Sequence, residues 1–164
     1  MISSFDDSSP TLRIRRARPT DTEGVRKFVF ATLRSYGIEP DPEGVDAPIV
    51  TFGIAGEGGP ALEWVVEISG TLAGIIGLSP SGENAILTAF YVDTAYHGYG
   101  IGRTLLEYVL AEAKARGFHR LDLETHSSFR QAIHLYKATG WVRGPDLSPA
   151  KYGDPDRTYS LQVA

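Results

Sequence analysis

The feature that most constrains this chain is a run of three alternating glycines, Gly98, Gly100 and Gly102. An apolar stretch ending at Tyr91-Val92 precedes it, and an amphipathic stretch opening at Ile101 follows it. The first reads as a strand and the second as a helix, joined by the short polar turn Asp93-Thr94-Ala95-Tyr96-His97. Without a Cβ, glycine lets backbone N–H groups come close to an anion. The helix start adds unpaired donors and the positive end of a dipole, a ready seat for phosphate. The pattern therefore predicts a phosphorylated ligand held at a strand–loop–helix junction. The spacing excludes two familiar seats. Gly-x-Gly-x-Gly is not the dinucleotide fingerprint Gly-x-Gly-x-x-Gly, and Arg103-Thr104 after Gly102 is not the Gly-Lys-Ser/Thr of a P-loop.

The rest of the chain supplies a mixed set of elements. Residues 12–17 read as a first strand. Thr20-Asp21-Thr22-Glu23 has the form of a capping box, with the Thr20 hydroxyl and the Glu23 carboxylate satisfying N–H groups at a helix start. Val25, Phe28, Val29, Thr32, Leu33 and Tyr36 then recur at helical spacing, and Gly37 stops the run. Pro40, Pro42 and Pro48 argue against a regular element over residues 38–48, and residues 49–55 stay unassigned. Gly56-Glu57-Gly58-Gly59-Pro60 reads as a turn. Strands are expected over 62–68, 72–78 and 85–92, with connections short enough for antiparallel hairpins. A helix over 100–116 ends at Gly117. A short strand follows over 121–124, then a helix over 129–139 ended by Gly140, a strand start at Trp141-Val142, a loop over 145–155 and a last strand over 158–162. The crossover through the glycine-loop helix makes strands 85–92 and 121–124 parallel neighbours.

A second motif lies downstream: Phe129-Arg130-Gln131-Ala132-Ile133-His134-Leu135-Tyr136-Lys137-Ala138-Thr139-Gly140-Trp141. Together with His97-Gly98-Tyr99-Gly100-Ile101-Gly102, it resembles the ordered motif pair of the GCN5-related N-acetyltransferases (GNAT). Their pyrophosphate loop is Arg/Gln-x-x-Gly-x-Gly/Ala, and their later motif is Asn-x-x-Ala-x-x-Leu-Tyr-x-x-x-Gly-Phe. His97 stands at the first position of the loop, Phe129 at the Asn position and Trp141 at the Phe position, while Ala132, Leu135, Tyr136 and Gly140 match directly. The resemblance covers about residues 12–143. It implies an α/β fold with a mixed, largely antiparallel central sheet, flanking helices, and splayed parallel strands between which the thioester arm of acetyl-CoA enters. It implies cofactor contacts from the backbone of Phe90 and Val92, from His97, Gly98, Gly100, Ile101, Gly102 and Arg103, and from Phe129 at the pantetheine arm. It implies that Tyr136 is the proton donor to the leaving thiolate.

Composition narrows the remaining options. The chain has 164 residues and is 42% hydrophobic. That supports one domain over residues 12–164, preceded by a flexible tail over residues 1–11. The chain start has neither a positive end nor an apolar core, so it does not read as a signal peptide. No apolar run reaches the ~20 residues needed to span a bilayer. The absence of cysteine removes disulfides, thiolate nucleophiles and cysteine-based metal sites, and fits a cytoplasmic location. The four histidines lack metal-ligand spacing, so no metal is expected. A net charge of −4, with Arg13, Arg15, Arg16 and Arg18 read as a solvated strand face, argues against nucleic acid as a partner.

Acetyl transfer needs a neutral amine, a stabilised carbonyl oxygen and a proton for the leaving group. A phenol with an ordinary pKa of about 10 keeps its proton at neutral pH, which suits Tyr136. Glu67, Glu124 and His126 are the candidates for a base; Glu124 closes an apolar strand and His126 sits just beyond it. Asp41, Glu43 and Asp46 form an acidic cluster that either draws in a cationic amine or is a solvated loop. The expected function is direct transfer from acetyl-CoA to a primary amine in a ternary complex, since no cysteine is present to carry the acetyl group. A non-catalytic acyl-CoA-binding regulator and an enzyme for longer acyl chains are the alternatives. Expected partners are acetyl-CoA and an amine, with a homodimer left open.

Overall fold

A computed structural model of the chain describes residues 11–54 and 61–164. The expected turn over 56–60 and all but the last residue of the expected tail lie outside them. Seven strands form one sheet: β1 (Leu12–Arg16), β2 (Leu62–Ile68), β3 (Thr71–Ser81), β4 (Asn84–Val92), β5 (Arg120–Thr125), β6 (Val142–Arg143) and β7 (Arg157–Gln162). Their order across the sheet is β1-β2-β3-β4-β5-β7-β6. The helices are α1 (Thr22–Ser35), α2 (Ala47–Val50), α3 (Ile101–Ala115) and α4 (Arg130–Ala138).

Each turn does what its residues permit. Gly37, Gly117 and Gly140 follow α1, α3 and α4 with φ of 76°, 80° and 97°. That left-handed conformation closes a helix at little cost only in glycine. The expected α1 stripe buries Val25, Val29 and Leu33. Inside the proline-bearing segment expected to be irregular, residues 42–46 turn and α2 follows. Pro48 sits in the first turn of α2, where a missing N–H removes no intrahelical bond.

The expected capping box at Thr20 and Glu23 does not form. Pro19–Asp21 is a 3-10 turn, and Asp21 is the residue that closes it by accepting the Arg18 N–H at 2.8 Å. The same carboxylate is gripped by both terminal nitrogens of Arg15 at 2.8 Å, and Arg15 also reaches Glu67 at 3.1 Å. Arg15 is therefore an internal clamp rather than part of a solvated face. Its partner Glu67 arrives on β2, too distant in sequence for pattern reading to pair them.

The two faces of the sheet carry separate cores. One packs α3 and α4 on Trp64, Ile76, Leu78, Leu87 and Leu121. The other packs α1 and α2 on Val65, Ile75 and Ala89. Leu87 and Ala89 would share a face in a regular strand. They are separated because β4 bulges: Leu87 pairs with Leu78 and Ala89 with Gly77, leaving Thr88 extra. Beyond the bulge, Phe90 and Val92 lie with the α3 core and Tyr91 with the α1 core. The parallel pairing of β4 with β5 is confined to Ala85↔Leu121 and Ile86↔Asp122. Past those two pairs the strands part, and β5 takes its remaining ladder from β7.

Candidate active site

A cavity of about 1150 Å³ opens where β4 and β5 part. It is lined by Phe90, Val92, His97, Gly98, Gly100, Ile101, Gly102, Arg103 and Phe129, and also by Tyr136, Glu124 and His126. The residues expected to touch the cofactor therefore share one space with the expected acid and two of the three candidate bases. Glu67 is the exception. It is held by Arg15 on the β1–β2 side, which leaves it no part as the base.

The glycines divide into two kinds. Gly98 and Gly100 have φ of 89° and 76°, and a Cβ at either would meet nothing within 4 Å. They are glycines for conformation, and their bare backbone borders open cavity. Gly102 is helical, and a Cβ there would come within 2.8 Å of Leu135 Cδ1 and 3.4 Å of Phe90 Cζ. It is glycine for packing, and lets α3 and α4 close on β4. The first intrahelical bond runs from Thr104 N–H to Gly100 O at 3.1 Å. The N–H groups of Ile101, Gly102 and Arg103 therefore point forward unspent. That is the cradle a pyrophosphate requires. His97 lines the same cavity and is anchored at one ring nitrogen. Its Nε2 lies 3.2 Å from Val92 O, an acceptor, so it donates its proton there.

Tyr136 stands at the floor of the gap, buried against Phe90, Trp141 and Tyr159 with ring centroids 5.6–5.8 Å away. Burial pushes its phenol well above the ordinary value, with smaller contributions from Tyr91 and Tyr159. The group is fully protonated at neutral pH.

Glu124 lies near the end of β5 and His126 just past it, but they are not equivalent. Ser128 donates its backbone N–H to His126 Nδ1 at 3.1 Å, and the Ser128 hydroxyl is 2.7 Å from the same nitrogen. A backbone N–H can only donate, so Nδ1 accepts there and is engaged within the turn. His126 is buried in the cavity wall, with Nδ1 engaged by its own turn. Glu124 is exposed to the cavity and keeps its oxygens free of hydrogen bonds among the described residues.

The far lobe contains residues that pattern reading did not assign to the site. Tyr36, Tyr91 and Tyr152 line it along with Asp46, Asp41 and Asp154. Glu43, grouped with the acidic cluster in sequence, is exposed and lies outside the cavity wall. Asp46 is 7% exposed, and burial raises its carboxyl above the ordinary value, partly offset by the Asp41 N–H that it accepts at 2.8 Å. Tyr36 was visible as part of a helical stripe and Tyr91 as a strand residue. Only the β4 bulge turns Tyr91 toward this lobe. Among the described residues no group of three or more His, Asp or Glu is placed to hold a metal ion, and no helix is long and apolar enough to cross a membrane.

Comparison with known proteins adds to this geometry. Residues 28–141 match the family model described as the Acetyltransferase (GNAT) family. Over 155 residues the chain is 29% identical to a streptothricin acetyltransferase of Streptomyces lavendulae, covering 80% of this chain and 82% of that one. It is 35% identical over 83 residues to a probable N-acetyltransferase camello of Xenopus tropicalis, a match spanning 49% of this chain and 38% of that one. The PaiA N-acetyltransferase of Thermoplasma acidophilum, solved in complex with coenzyme A, superposes with a TM-score of 0.75 at 18% identity, over 93% of this chain and 99% of that one.

Proposed function

The chain belongs to the GNAT family of acetyltransferases, which use acetyl-CoA, and on that premise we propose that it transfers the acetyl group to a primary amine by direct attack within a ternary complex. The observation that carries this reading is the continuity of one cavity from the glycine cradle, past Tyr136 and the β4–β5 gap, to an acidic and aromatic lobe. Acetyl-CoA supplies an activated thioester carbonyl. The chain's residues do the rest. The N–H groups of Ile101, Gly102 and Arg103 bind the pyrophosphate, and the backbone of Phe90 and Val92 lines the arm beside Phe129. Glu124 takes a proton from the acceptor nitrogen as the N–C bond forms and the C–S bond breaks. Tyr136 gives its phenolic proton to the departing sulfur, and water restores it from the open end of the cavity. Residues 12–164 act as a single catalytic domain. The cysteine-free chain supports a cytoplasmic setting. A homodimer would add nothing to the chemistry, since each named role is filled within one chain.

Thiol release from acetyl-CoA, followed across a panel of amines that includes streptothricin, tests the reading. Wild type is expected to release thiol with at least one amine. Tyr136→Phe keeps the ring and is expected to lower kcat by roughly 10²–10⁴-fold at an unchanged melting temperature. Tight acetyl-CoA binding without thiol release on any amine would return the non-catalytic alternative.

A further inference from the structure

The far lobe has a chemistry of its own. Phe129 is met edge-on by Tyr36 at 5.0 Å and by Tyr91 at 6.2 Å, and His126 lies at 6.0 Å. Tyr152 stands across His126 at 5.1 Å and donates a hydrogen bond to Tyr36 O at 3.4 Å. These rings border the cavity next to Asp46. Asp46 is more than nine-tenths buried, and among the described residues its carboxylate accepts one hydrogen bond, from the Asp41 N–H. Lys151 is paired with Asp41 Oδ2 at 2.8 Å and acts on Asp46 only as a more distant charge. Among the described residues no cation pairs with Asp46 itself. A buried carboxylate without a counter-ion is costly, and aromatic faces attract cations most where water is excluded.

Resting on the acetyl-transfer reading, we propose that the acceptor is a dication. Its reacting amine sits at Glu124, and a second cationic group is held among Tyr36, Tyr91, Phe129 and Tyr152 beside the Asp46 carboxylate. The two groups have different fates. The amine at Glu124 must lose a proton to attack, so it needs a nearby base in contact with the open cavity. The second group stays charged throughout and needs a dry, ring-lined carboxylate. A neutral apolar tail would leave Asp46 buried and unpaired, and an anionic one would meet Asp46, Asp154 and Glu124 together.

The test sets a series of α,ω-diamines against n-alkylamines of matched length, with kcat/KM read from thiol release. In parallel, calorimetry titrates a bis-quaternary ammonium and its mono-quaternary counterpart, neither of which can be acetylated, into the protein with CoA. The diamine of best-fitting length is expected to exceed its monoamine by about 10-fold or more, and the bis-quaternary probe to bind correspondingly tighter. Asp46→Asn keeps an oxygen for the Asp41 N–H but removes the charge, and is expected to erase both differences. Tyr152 is 66% exposed, so its replacement is safe for folding. Tyr152→Leu is expected to reduce both differences several-fold. Equal kcat/KM for diamines and monoamines together with equal affinity for the two quaternary probes would overturn the proposal. Asp46-dependent binding of the bis-quaternary probe without thiol release from any amine would support this pocket while sinking the transferase reading.

Discussion

The Arg15 side chain shows how one residue's role is decided by partners scattered along the chain. The side chain is 14% exposed, and its guanidinium holds Asp21 on one side and Glu67 on the other, tying the entry of α1 to the β1–β2 edge. The Arg15 hydrogen bonds are the largest influence on Asp21 and hold its carboxyl below the usual range, against the opposing effect of burial. Because the folded-state value lies below the unfolded one, the stabilisation is fully present above about pH 4 and is lost as pH falls through the folded-state value. Asp21→Asn is expected to cost about 1–3 kcal/mol at neutral pH. Melting curves of the two proteins should converge in acid. A constant difference across the titration would show that charge is not what Asp21 contributes.

At the level of elements, the glycine loop and the 151–154 segment illustrate two ways in which backbone shape serves the cavity. Gly100 caps α3 in a left-handed conformation with open space where a Cβ would go, so Gly100→Ala strains only the backbone. The expected loss is about 1–2 kcal/mol. Gly100→Asn, which tolerates that region better, is expected to lose less in the same thermal melt. Gly153 is different: φ is 98°, and a Cβ would come within 2.7 Å of Ile38 Cγ2. It lets the segment carrying Lys151 and Tyr152 lie flat on the turn after α1, where Lys151 meets Asp41 and Tyr152 meets Tyr36 O. Gly153→Ala should lift that segment off the acceptor lobe. Steady-state kinetics are expected to show a higher KM for the amine with an unchanged Kd for acetyl-CoA, and an unchanged amine KM would count against the segment as a wall of the site.

Across the whole molecule, the cavity sits where the sheet is least continuous. β4 and β5 share only two residue pairs, and the two cores meet around that gap. A ligand that bonds to the α3 N-terminus and fills the gap binds the native state alone. At one hundred times its Kd, CoA should add about 2.7 kcal/mol of stability. In a chain of this size that amounts to a rise in melting temperature of roughly 5–10 °C. A shift under about 1 °C at that saturation would mean that CoA binds the unfolded chain as well, rather than a site that only the fold creates.

What the sequence by itself determined is the local and periodic part of the protein. The α1 stripe, the helices stopped by Gly37, Gly117 and Gly140, the antiparallel hairpins, the glycine cradle and Tyr136 on its helix all follow from spacings within about a dozen residues, where steric and hydrogen-bonding rules act on neighbours. Tertiary structure decided what depends on register and on long-range partners. The bulge at Thr88 inverts which face of β4 each later residue occupies, and no alternation rule announces it. The capping role passed from Thr20 and Glu23 to Asp21 because Arg15 and Glu67 arrive from other strands. His126 Nδ1 is engaged by Ser128 through the turn after β5, and the acidic cluster divided into a buried Asp46 and an outward Glu43. In each case after the bulge the deciding energy is the desolvation of a charge or polar group, and that exists only once the distant chain has packed against it.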